Sequence, residues 1–105
     1  MRKTPNLPLH IQRDFEALGA NLRACRKRRG KTIDEVAELI GCGRKTIMSA
    51  EKGNITVSAG IYELLKHLYD LYEPVQNAAT LEQDKIGMTL LDRGKSRSDE
   101  IDTDF

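Results

Sequence analysis

Between Thr32 and Gly53 the chain reads "TIDEVAELIGCGRKTIMSAEKG", and only Cys42 and Gly43 separate one helical pattern from the next. Thr32 and Glu35 stand in a capping-box arrangement, so hydroxyl and carboxylate can each satisfy an orphan amide of a first helical turn. Val36, Ala37 and Ile40 then share one face, and Gly41 offers the left-handed residue that ends a helix. The second pattern turns Ile47 and Ala50 inward and stops at Gly53. A connection this short allows few arrangements. The two helices must cross closely, which calls for a small residue such as Ala37 and for apolar neighbours that fix the angle. The second helix can bury little, and its outward positions carry Arg44, Lys45, Met48 and Ser49.

The rest of the chain supplies helices to pack around that pair. Ile11, Phe15, Leu18, Leu22 and Cys25 recur at steps of four and three, which predicts one helix with an apolar stripe, stopped by Gly30. A loop near "NITV" leads to a further helix over about Ser58 to Tyr69, with Ile61, Leu64, Leu65 and Leu68 on one face. Leu71, Tyr72 and Val75 continue the apolar material, and Pro74 should start or kink another helical segment. Thr80 and Gln83 make a second capping box ahead of "LEQDKIGMTLL". From Asp92 onward the chain is polar and expected to be disordered. No strand-like alternation appears, so the expected fold is all-α. The expected organisation is an N-terminal arm over 1–10, a domain over 11–73, a C-terminal helical segment over 74–91 and an acidic tail over 92–105.

Charge divides the chain. Residues 1–53 hold twelve Lys or Arg against six Asp or Glu, whereas 54–105 hold five against ten. The first half points to an anionic partner, although the run "RACRKRR" at 23–29 could alone be a solvated helix face. Cys25 and Cys42 form no CxxC pair and have no histidine close in sequence, so space-filling in a reducing compartment is expected rather than a metal site. No apolar run is long enough to span a membrane, no secretory leader is visible, and a cytoplasmic, nucleoid-associated protein is expected. No nucleophile–base pair, metal cluster or phosphate-cradling glycine loop stands out. His10 and His67 stand alone. The reading is therefore a non-enzyme without cofactor.

Two short helices joined by a tight turn make a helix-turn-helix, in which the second helix lies in the DNA major groove. "KTIDEVAELIGCGRKTIMSAEKG", 31–53, resembles the motif of the phage-repressor and Cro-like (XRE) helix-turn-helix family, and the resemblance covers roughly Phe15 to Tyr69. It rests on Arg26, Thr32, the Glu35-Val36-Ala37 run, Gly41, Thr46-Ile47, and Glu51 with Gly53. It implies a small lambda-repressor-like bundle with extra C-terminal helices. It also implies an ion pair between Arg26 and Glu51, and base contacts from Arg44, Lys45 and Ser49 with Met48 at their edge. Arginine suits guanine O6 and N7, and a methionine or serine suits a thymine methyl or a base edge. Phosphate contacts are expected from Thr32, Gly43, Thr46 and Lys52, and from Arg28 and Arg29 of the basic run. Arg23, Lys27 and Lys31 are further candidates, of which, with Arg28, Arg29 and Lys52, two or three are expected to reach DNA.

Three positions depart from the family pattern. Gly43 replaces a capping Ser or Thr, Ile33 replaces a frequent Gln, and Leu39 stands where a charged residue is usual. An exposed Leu39 suggests a protein contact. Tyr62, Tyr69 and Tyr72 share a helical face that suits core or dimer packing better than base stacking. The expected function is a dimeric, sequence-specific regulator of transcription that represses its own promoter at a palindromic operator. The alternative is an antitoxin resembling the HipB type, which would also bind a HipA-like toxin kinase or other co-encoded protein.

Overall fold

The computed structural model describes residues 6–94, so residues 1–5 and 95–105, including most of the segment expected to be disordered, lie outside it. The described residues form five α-helices and no strand: α1 Leu9–Arg28, α2 Ile33–Ile40, α3 Arg44–Glu51, α4 Ala59–Leu68 and α5 Lys85–Arg93. The chain divides into two compact units, with the boundary between Tyr72 and Glu73.

In the first unit, α1 packs against α3, and α2 against both α3 and α4. The core is Leu22, Val36, Ala37, Ile47, Ala50, Tyr62, Leu65 and Tyr69, with Phe15, Leu18, Cys25, Ile40 and Leu68 packed around it. The expected inward positions of α2 and α3 are thus in place. So is the local chemistry that ends and starts them. The Thr32 hydroxyl accepts from the Glu35 amide at 3.1 Å, and the Glu35 carboxylate accepts from the Thr32 amide at 2.8 Å. Gly41 closes α2 at φ +85°, a left-handed conformation that a Cβ would strain.

On α4, Leu65 is buried and Ile61 and Leu68 pack against the core as expected, and Tyr62 and Tyr69 join the interior. Leu64 departs from the expected face and is exposed. Phe15 meets Tyr62 edge-on at 5.8 Å between ring centroids. The Tyr62 hydroxyl donates to the Asn54 carbonyl at 2.7 Å, which gives its buried polar tip a partner. Tyr72, by contrast, is exposed.

The second unit opens with Pro74 capping a 3-10 turn, Val75–Ala78, followed by another, Leu81–Gln83. The Thr80–Gln83 capping box forms as expected, but the helix it begins is one turn long. Asp84 interrupts it and restarts the chain as α5, its carboxylate accepting from the Gly87 amide at 2.9 Å. Helix α5 continues through Asp92 and Arg93, two residues past the expected end. Its Ile86, Met88, Leu90 and Leu91 are all exposed.

Candidate nucleic-acid interface

The polar face of α3 is held in position from behind. Arg26 of α1 is only 7% exposed. Its guanidinium donates to both carboxylate oxygens of Glu51, at 2.7 and 3.0 Å, and to the Lys31 carbonyl at 2.9 Å. One side chain therefore joins α1, the α1–α2 turn and the end of α3. The bond to Glu51 holds the guanidinium charged more firmly than usual, against the opposing effect of burial. The expected ion pair is present as a bidentate fork, a geometry that lysine could not reproduce.

Arg44 and Lys45 are exposed on the first turn of α3, and Met48 and Ser49 follow half-exposed one turn later. These four form two stripes with different borders. Arg44, Met48 and Lys52 run beside the start of α2: Arg44 pairs with Asp34 at 3.2 Å, and Ile33 shares a hollow with Met48 and Lys52. Lys45, Thr46 and Ser49 border a groove whose far wall is Thr56, Val57 and Ser58. That wall is firm, because the Asn54 carboxamide oxygen accepts from both the amide and the hydroxyl of Thr56, at 2.9 and 2.7 Å.

The residues expected at phosphates fall into four groups. Thr32 is exposed, and its oxygen accepts from the Glu35 amide within the capping box. Gly43 caps α3 without a side chain, so no side-chain capping hydrogen bond meets the Arg44 and Lys45 amides of the first turn. Thr46 and Lys52 border the outward face.

Arg28 and Arg29 are placed differently from the expectation. Arg29 donates to the Cys25 and Tyr69 carbonyls, both at 3.0 Å, and its guanidinium lies 5.2 Å from the Tyr69 ring centroid. It fastens α1 to the end of α4. Arg28 is two residues from Arg26, roughly 200° around the helix, and so on the far side from α3. Another α1 cation, Arg23, borders the outward face of α3 at the Met48 hollow.

Arg23 is among the candidate phosphate cations; Ile33, Thr56 and Ser58 are the border residues that a reading of α3 alone does not find. An Asn-x-Thr step before a capping serine was the available signal for the far wall.

The described residues contain no helix long and apolar enough to cross a membrane. Fold and surface together define an all-helical bundle that displays a short, polar-faced second helix from a tight turn. The chain belongs to the helix-turn-helix domain family, which matches residues 17–79. It is also 34% identical, over 59 residues, to a protein of Thermococcus kodakarensis with the provisional name HTH-type transcriptional regulatory protein. That match takes in 54% of this chain but 19% of the relative, so the chain spans about a fifth of the relative's length. No solved structure gives a significant match.

Proposed function

We propose that the chain binds double-stranded DNA in a sequence-specific way and regulates transcription, with α3 in the major groove. The observation that carries this reading is the rigid mounting of α3. Arg26, Ile47, Ala50 and Glu51 fix it from within, while Arg44, Lys45, Met48 and Ser49 take no part in that mounting and face outward. In this reading Arg44 and Lys45 meet base edges, Met48 and Ser49 complete the readout, and Thr32, Gly43, Thr46 and Lys52 hold phosphates.

The family and the name of the relative support the reading. We further propose that the protein acts as a homodimer on a palindromic operator, its own promoter included. One short helix reads few base pairs, and two half-sites one turn apart multiply the specificity. The exposed Ile86, Met88, Leu90 and Leu91 of α5 favour pairing through the second unit. Selection of bound sites from a randomised duplex library, followed by footprinting on the protein's own promoter, tests both statements. Recovery of random sequence would refute specificity, and an asymmetric site would refute the palindrome.

One observation favours an additional role beside a co-encoded partner such as a HipA-like toxin kinase. Leu39 is 58% exposed on α2, next to Lys31, Glu35 and Glu38. Co-expression with the neighbouring reading frame should give a complex that Leu39→Glu dissolves. No complex would end this second reading.

A further inference from the structure

Beside α3 lies a hollow of about 370 Å³ built from three elements: Arg23 of α1, Ile33 at the start of α2, and Met48, Glu51 and Lys52 of the α3 end. Its apolar wall is Ile33 and Met48, both half-buried. Two cations, Arg23 and Lys52, stand at the rim, and neither has an ion-pair partner among the described residues. The one carboxylate present does not make the hollow anionic. Both Glu51 oxygens are taken by Arg26.

The combination of an apolar wall and unpaired cations is selective. The cations suit backbone phosphates on either side of a groove, while the wall offers no donor or acceptor to a base edge. Ile33 has none, and the Met48 thioether is at most a weak acceptor. What fits such a wall is an apolar group that protrudes from the groove, and in the major groove of DNA that is the methyl on C5 of a pyrimidine. Met48 stands one turn beyond Arg44 on the same stripe, which directs the hollow toward the base edges that α3 would face. The polarizable, unbranched thioether can adapt to a methyl without a fixed shape.

We propose that Ile33 and Met48 form a pocket for a pyrimidine C5-methyl group and so set sequence preference at one position of each half-site. The proposal rests on the reading of α3 as a major-groove helix, and it adds Ile33 to the residues that act there. Thymine carries this methyl, and so does 5-methylcytosine.

The test uses the full chain and the duplex recovered by library selection. Each thymine of a half-site is replaced in turn by deoxyuridine, which removes the methyl alone. At the responsive position, cytosine and 5-methylcytosine are also compared. One deoxyuridine should weaken wild-type binding about fourfold, the effect expected for losing one buried methyl-sized group. Met48→Ala and Ile33→Ala should bind thymine and deoxyuridine duplexes equally, with helicity unchanged by circular dichroism. Should Ile33→Ala unfold, Met48→Ala and Met48→Gln carry the test.

A methyl effect on both bases supports a pocket that reads the methyl alone and senses cytosine methylation. An effect on thymine alone supports the pocket with thymine as its source. The proposal is overturned if no deoxyuridine matters to the wild type, or if the variants stay as methyl-sensitive as the parent. Selection that recovers no preferred sequence would instead remove the underlying DNA reading, a distinct result.

Discussion

Gly19 of α1 and Gly53 beyond α3 meet backbone to backbone: a Cβ on Gly19 would lie 2.6 Å from the Gly53 nitrogen and 2.7 Å from the carbonyl oxygens of Ala50 and Glu51. A Cβ on Gly53 would in turn collide with the Phe15 carbonyl, and Gly53 has φ +74° besides. The two helices approach as closely as they do because neither partner has a side chain there. Gly19→Ala should therefore destabilise the fold by about 1–3 kcal/mol, the usual cost of overpacking. Urea titration of the variant against wild type checks this. A loss below about 0.5 kcal/mol would mean that α1 slides aside without cost.

Glu51→Ala should cost more, about 3–5 kcal/mol, because it leaves the Arg26 guanidinium buried without its anion. The paired side chains are only 9% and 7% exposed, so solvent screens them little. Joint replacement, Arg26→Met with Glu51→Leu, should recover much of that loss. Melting temperatures of the single and double variants measure the difference. Equal losses would place the energy in packing rather than in the pair.

Arg44 is tied to Asp34 only by an exposed pair at 3.2 Å, a contact worth about 0–1 kcal/mol. Asp34→Ala should leave stability nearly unchanged and tighten DNA binding, since Arg44 no longer has to leave a carboxylate. Arg44→Ala should cost about 1–3 kcal/mol on the selected site and relax preference at one base pair. Equal losses on selected and random duplexes would make Arg44 a phosphate contact.

The capping box of α2 gives the fold a defined acid response. The amide of Thr32, and then its hydroxyl, hold the Glu35 carboxyl below its ordinary value of 4.5. A depressed carboxyl stabilises the fold fully above its unfolded value, and that contribution disappears as pH falls through the folded one. Glu35→Gln keeps the box but removes the charge. The melting-temperature gap between wild type and variant should be constant near neutrality and close on descending below about pH 4.5. A gap independent of pH would mean that the charge contributes nothing.

Ending the chain at Tyr72, the boundary between the two units, should leave the first unit folded. If α5 supplies the pairing surface, sedimentation should show a monomer that binds half-sites weakly. An intact dimer would move the interface into the first unit.

What the sequence made legible was chemistry that acts over short spans. Thr32 with Glu35, Gly41, and the inward pairs Val36–Ala37 and Ile47–Ala50 follow from spacing alone, and all are where spacing puts them. The harder features depend on distant partners. Arg29 sits within a run of similar cations, and only the fold brings the Tyr69 carbonyl and ring to it, across 40 residues. Gly19 lies mid-helix and looks like a tolerated weakness until α3 is placed against it. In α4, Tyr62 and Leu64 lie roughly 200° apart, and period alone could not decide which side of the helix the first unit would bury. The Thr80–Gln83 box was real, but its signal says where a helix starts and not how soon Asp84 will end it.

The division of α3 into an anchored side and a free side has a consequence for retargeting. The residues that mount it, Ile47, Ala50 and Glu51, share no position with those that face outward, Arg44, Lys45, Met48 and Ser49. Changes to the outward set leave the Arg26 fork and the glycine contact intact, so new binding preferences can be explored with little penalty in folding. On the proposed reading of α3, the short helix is an exchangeable key cut on one edge only, and the same scaffold could carry many operators.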